Sequence, residues 1–293
     1  MTTTALTTRP SAWLAALRPR QWTKNLLVFA AVLFAAKLGD PHRLLEAAVA
    51  FVAYCAASSA AYLVNDVRDA GHDRLHPSKR HRPVASGLVA PRAALVAAAV
   101  LAVVALALAA VLGPWSVLVL GAFAVLQLAY SLGLKHIVLI DVMTIAGLFV
   151  VRAVAGAVAV HVPISPWLLL CTGLLALFLG LAKRRGELVL VGAERTPGRP
   201  VLEGYSLVLV DQLVTIVAAS TLIAYALYTF SARPGERMMA TIPFVLFGVF
   251  RYLLLIHRED AGEEPEQVLL KDRPILVCVA LWALTAALIL ISS

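Results

Sequence analysis

Apolar residues run along this chain in long stretches, separated by short polar intervals. Nine stretches stand out, over residues 22–37, 44–64, 92–112, 114–131, 141–160, 165–182, 207–230, 240–257 and 274–291. Most approach the roughly 20 residues that a helix needs to cross a bilayer. They predict an all-α, polytopic membrane protein with nine transmembrane helices and one domain over 1–293. No room is left for a separate soluble domain. Residues 26–36, behind Arg18, Arg20 and Lys24, have the outline of a signal-peptide core. Phe34 stands where a cleavage site needs a small residue, so removal is not expected.

The polar intervals alternate in character. Those over 65–91, 132–140, 183–206 and 258–273 are long, and the others are short. Nineteen Lys and Arg lie in or at the edges of the N-terminal arm and the long intervals, and four in or at the edges of the short ones. By the positive-inside rule the N-terminus and the long intervals are cytoplasmic, and nine spans then place Ser293 outside. The chain is therefore expected to be a multi-pass protein of the plasma membrane. Composition agrees: 61% of residues are hydrophobic and 14% charged, against about 25% charged in soluble domains. The net charge of +8 raises nucleic acid as a partner. The basic residues sit beside helix ends, where topology accounts for most of them, so nucleic acid is not expected. Cys55, Cys171 and Cys278 fall inside apolar runs and read as buried small hydrophobes rather than a disulfide framework.

Topology does not explain the acids that follow the second span. Asn65, Asp66, Asp69 and Asp73 fall at about 0°, 100°, 40° and 80° around a helix, within one narrow face. Three carboxylates so close repel unless protonated or joined by a cation. An all-oxygen donor set points to Mg²⁺, which usually completes its shell with phosphates and water. The basic stretch Arg74–Pro83 comes next, with Lys79 and Arg80 within it. Acids followed by bases suit an anion bridging metal and protein, such as a diphosphate. Lys79 is favoured because prolines stiffen its loop.

The Asn-Asp-x-x-Asp-x-x-x-Asp pattern after a second transmembrane helix resembles the first aspartate motif of the UbiA-type intramembrane prenyltransferase superfamily. The similarity is closer still to its decaprenyl-phosphate phosphoribosyltransferase branch. It is carried by Arg18–Asn25, Asp73–Pro83, Tyr130–Lys135, Asp141-Val142, Arg152–Ala157 and Lys183–Glu187. The resemblance implies nine helices around a central cavity that opens to the cytoplasm and laterally to lipid. It also implies transfer of a 5-phosphoribosyl group from 5-phosphoribosyl 1-diphosphate to decaprenyl (polyprenyl) phosphate, a precursor step for cell-wall arabinan. Mg²⁺ is the implied cofactor, with Asn65 and Asp69 as ligands and Asp66, Asp69 and Asp73 as the catalytic carboxylates. Membrane lipid is an expected partner, and self-association into a homo-oligomer is left open.

One departure separates the chain from most of the superfamily. A second Asp-x-x-x-Asp motif usually follows the sixth helix. Here that place reads Lys183-Arg184-Arg185-Gly186-Glu187, which suits a phosphate better than a second metal cluster. This counts against the alternative of an aromatic acceptor with a prenyl diphosphate donor. A cation-coupled transporter is more distant, because the acids cluster at one mouth rather than at the midplane.

Charged side chains inside the bilayer are costly and read as functional by default. Asp141 and Arg152 lie in the fifth span, about 16 Å apart along the helix and too far for a direct pair. Arg152 is expected to grip a phosphate with its planar fork, or else to form a structural ion pair. Lys183 and Arg184 join it as phosphate-binding candidates. Tyr62, one turn before Asn65, shares its face. Lys24 opens the first span at the level of a lipid phosphate, and Lys135 closes the interval before Asp141. Arg251, near the cytoplasmic end of the eighth span, reads as a snorkelling residue.

Overall fold

The computed structural model describes residues 10–75, 79–194, 200–231, 235–258 and 271–291. The N-terminal nine residues and Ser293, on which the expected orientation bears, lie outside that set. The described residues are overwhelmingly helical and contain no strand.

A short helix, α1 (Pro10–Leu17), leads into a 3₁₀ segment (Pro19–Phe29) and the single-turn α2 (Ala30–Phe34). Then follow α3 (Pro41–Leu75), α4 (Pro91–Leu112), α5 (Pro114–Leu132), α6 (Ile140–Ala159), α7 (Pro166–Glu194), α8 (Leu207–Ser231), α9 (Ile242–Arg258) and α10 (Arg273–Ile291). Four of these begin with proline, whose fixed φ and missing N–H suit the first helical position. Eight helices among the described residues are long and apolar enough to cross a membrane.

The expected first span, 22–37, is not a continuous α-helix. Its place is taken by the 3₁₀ segment and α2. Long 3₁₀ runs are uncommon, and close packing holds this one. A Cβ on Gly156 of α6 would stand 2.1 Å from the Val28 carbonyl oxygen, so only glycine admits the approach. Trp22 Nε1 donates to Ser59 Oγ at 3.0 Å, and Ser59 Oγ donates to the Leu17 carbonyl at 2.9 Å.

Two other expected boundaries move for one reason: a helix need not stop where its hydrophobicity does. At 35 residues, α3 is about 52 Å long against a hydrocarbon core of about 30 Å. The acidic box therefore lies on helix rather than in a loop. Likewise α7 runs on to Glu194, which puts Lys183–Glu187 on helix.

Small residues allow the close helix contacts that lipid, unlike water, does not drive by itself. Ala60 and Ala70 of α3 meet Ala94 and Ala98 of α4, with α1 laid against them through Ala12 and Ala16. A second core, around Phe178, Tyr252, Val142 and Ile256, joins α6 to α9. Phe34 of α2 packs edge-on to Tyr228 and against Trp282, so the start of the chain meets α8 and α10. Large aliphatic side chains such as Val96, Val100 and Val103 point outward from α4, as a lipid-facing stripe requires.

Candidate functional site

The α3 helix stays regular through the acidic box, so Asn65, Asp66, Asp69 and Asp73 share one face as the spacing predicts. The cations that answer them come from elsewhere. Asp66 is buried and takes Arg18 Nη2 at 2.5 Å, with Arg82 Nη1 at 3.4 Å. Asp73, also buried, takes Arg82 Nη1 at 2.7 Å. Asp69 is the most open of the three, with Arg68 Nε at 3.6 Å and Lys135 Nζ at 4.0 Å. Arg18 also lies over the Tyr62 ring, 4.9 Å from its centroid.

Repulsion among the carboxylates is thus relieved by three arginines and a lysine, and a metal is not needed for that purpose. Nor do three His, Cys, Asp or Glu side chains converge on one point among the described residues. The donor set still fits a hard cation. Asp66 Oδ2 is buried without a hydrogen-bond partner, and half-buried Asn65 and Asp69 offer oxygens on the same face.

Asp141 and Arg184, both expected to face substrate, face each other. Both are buried, and Arg184 Nε donates to Asp141 Oδ2 at 2.6 Å. Arg184 Nη1 also pairs with Glu187. The other carboxylate oxygen, Asp141 Oδ1, accepts from Tyr205 Oη at 2.7 Å. Burial, then the Asp141 carboxylate, raise the Tyr205 phenol above its ordinary range, so it stays a donor at neutral pH. Arg185 is likewise spoken for, by Asp211 Oδ1 at 2.8 Å and the Ile256 carbonyl at 2.6 Å. Arg184, expected to meet a phosphate, and its neighbour Arg185 are therefore matched internally. Lys183 is half-buried on α7.

Arg152 is 5% exposed and pairs with no carboxylate among the described residues. Its Nε donates to Asn25 Oδ1 at 2.7 Å and its Nη1 to the Leu148 carbonyl at 2.8 Å. Phe123 and Phe149 flank the guanidinium at 4.7 and 5.5 Å. Asn25 in turn donates to Cys55 Sγ at 3.3 Å. Arg152 thereby ties α6 to the 3₁₀ segment. Asn25→Ala and Arg152→Ala are each expected to destabilise the protein by about 1–3 kcal/mol, because a buried polar group loses its partner. The double variant should lose less than the sum, since one hydrogen bond is shared. Thermal unfolding in detergent measures this, and strictly additive losses would show that the contact carries no energy.

Lys24 is half-buried on the 3₁₀ segment beside Asn25. Lys79 and Arg80 sit in a short 3₁₀ turn, Lys79–His81, with Arg80 exposed. Arg251 pairs with Asp272 at 2.8 Å rather than snorkelling freely, and Asp272 also accepts the Ile275 N–H that opens α10. The sequence reading did not single out Arg82, Asn25 or Tyr205 as site residues. Arg82 and Asn25 do stand in the stretches that carry the resemblance. Nothing in the local pattern marks Tyr205.

The helical bundle with an acid-and-arginine box at one helix end defines a polytopic intramembrane enzyme fold, and the chain belongs to the UbiA prenyltransferase family, which it matches over residues 26–271. Among characterised relatives it is similar to the decaprenyl-phosphate phosphoribosyltransferase of Mycolicibacterium smegmatis. The two are 38% identical over 290 residues, 93% of this chain and 90% of that one. The enzyme of the same description from Corynebacterium glutamicum is 34% identical, over 91% and 83% of the two chains. In fold the chain is similar to a UbiA homolog from Archaeoglobus fulgidus bound to GPP and Mg²⁺. The TM-score is 0.74 at 19% identity, over 96% of this chain and 100% of that one.

Proposed function

We propose that the protein is an Mg²⁺-dependent transferase that moves 5-phosphoribosyl from 5-phosphoribosyl 1-diphosphate to decaprenyl or another polyprenyl phosphate, releasing diphosphate. The similarity to decaprenyl-phosphate phosphoribosyltransferases across nearly the whole chain carries this reading. The basic stretch on α7, where most of the superfamily has a second aspartate motif, agrees with it.

Asn65 and Asp69, with Asp66 Oδ2, are the groups that would hold Mg²⁺, whose chemistry is to neutralise charge growing on the leaving diphosphate. The chain's own residues do the rest. Arg18 and Arg82 hold Asp66 and Asp73 in place through their ion pairs. Lys135, beside Asp69, supplies a cation for a donor phosphate, and Lys79 and Arg80 add positive charge across the mouth. Tyr62 borders the same face of α3. Lys24 and Lys183 are the phosphate-binding lysines at the membrane level, and Arg152 acts on Lys24 through Asn25. Asp141 and Arg184 act as a buried brace. The acceptor phosphate is already an anion at neutral pH, so positioning and electrostatics suffice without a strong base.

The reading includes a ninth crossing. Eleven residues in 3₁₀ form rise about 22 Å and five in α form about 7.5 Å, together near the 30 Å of a bilayer core. In the plasma membrane the acidic box then opens to the cytoplasm. A cysteine at His161 should react with an impermeant thiol reagent in intact cells, and one at Arg92 should not. The opposite labelling would invert the topology. For the activity, membranes supplied with labelled phosphoribosyl diphosphate should form a labelled lipid only when decaprenyl phosphate is added. No labelled lipid under these conditions, together with transfer from a labelled prenyl diphosphate to an aromatic acceptor, would reject the assignment.

A further inference from the structure

Resting on the transferase reading above, we infer that Tyr205 is a positioning residue that sets Lys135 against Asp69 by locking the turn between α5 and α6.

That turn is short and strained. A 3₁₀ turn, Leu134–His136, carries Lys135, and the chain then enters α6 through Leu139, whose φ is 67° and ψ −41°. A bulky non-glycine residue rarely adopts positive φ and holds it only where the surroundings over-determine it. Tyr205 supplies that constraint. Its hydroxyl oxygen accepts the Leu139 N–H at 2.7 Å while its proton goes to Asp141 Oδ1 at 2.7 Å. A phenol can do both at once.

The phenol is held in turn. Tyr205 is buried among Val142, Phe178 and Val201. Its neighbour Gly204 lies so close to the turn that a Cβ there would stand 2.3 Å from Val138 Cγ2. Arg184 takes the second oxygen of Asp141. One carboxylate and one phenol therefore join three pieces of chain: the α5–α6 turn, the end of α7 and the segment leading to α8. From this junction Lys135 projects to within 4.0 Å of Asp69 Oδ2. The basic stretch of α7 that stands in place of the second aspartate motif is thus linked to the first one through Asp141, Tyr205 and Lys135.

Tyr205→Phe keeps the ring and removes only the hydroxyl, which isolates this role. The KM for phosphoribosyl diphosphate should rise at least several-fold, towards the roughly ten-fold loss seen when supporting partners of a site are removed. The KM for the polyprenyl phosphate should stay within about two-fold. In a Lys135→Ala background, the same substitution should add less than two-fold, because its effect passes through Lys135. Hydrogen exchange in detergent should quicken at the Leu139 amide and across 134–141, while α4 is unchanged. An equal effect of Tyr205→Phe with and without Lys135 would overturn the inference, as would unchanged exchange at Leu139. A wild type that transfers no phosphoribosyl group would reject the enzymatic reading. The exchange experiment would still decide whether Tyr205 locks the turn.

Discussion

Asp69→Asn is expected to lower turnover by two to three orders of magnitude, the scale lost when a group that stabilises developing charge is removed. The protein should remain folded, with stability changed by no more than about 0.5 kcal/mol. The contrast follows from how the three acids are held. Asp66 and Asp73 are buried against Arg18 and Arg82, so changing either strands a guanidinium. Asp69 is 37% exposed, and its cations stand 3.6 and 4.0 Å away. Partly exposed, loosely matched pairs contribute little to stability. What Asp69 does contribute is a carboxylate oxygen at the open face of the box, beside Asn65, where a hard cation would be held. Turnover measured across a range of Mg²⁺ concentrations, with thermal unfolding in parallel, checks this. Activity above about half the wild-type level at every concentration would show that the box does not hold the metal.

Arg184→Met should have the largest effect on stability, a loss of roughly 3–5 kcal/mol, the usual cost of removing one partner of a buried ion pair. Asp141 would keep only the Tyr205 hydrogen bond within a fully buried site, and Glu187 would lose its cation. Replacing both partners, as Asp141→Asn with Arg184→Met, should recover part of the loss because the fully buried charge at position 141 is no longer left unmatched, although Glu187 still lacks its cation. Thermal unfolding of purified protein in detergent distinguishes this from the phosphate-binding role expected of Arg184 from sequence. A normal unfolding temperature with weakened donor binding would mean that Arg184 faces the substrate after all.

The helices and the acidic face were legible in the sequence because both are local. Apolar run length marks eight of the nine expected spans as helices able to cross a membrane. A spacing of one, four and eight residues puts Asn65, Asp66, Asp69 and Asp73 on one face of any helix. The family could also be read from motifs between residues 18 and 187. The first span departs from its local pattern. Its composition is that of a helix, but Gly156 and Arg152, far along the chain, hold part of it in 3₁₀ form.

The partners of the charged groups were decided by the tertiary structure alone. Arg18 meets Asp66 across 48 residues, Arg184 meets Asp141 across 43, and Arg152 meets Asn25 across 127. From sequence, Arg184 reads as a cation for a phosphate, yet folding spends it, with its neighbour Arg185, on the protein's own carboxylates. The physical reason is the range of the interactions. Helix period and hydrophobicity are set within a few turns of chain. A buried charge is matched by whatever oxygen the packed helices bring within about 3 Å, and only the packing determines which oxygen that is.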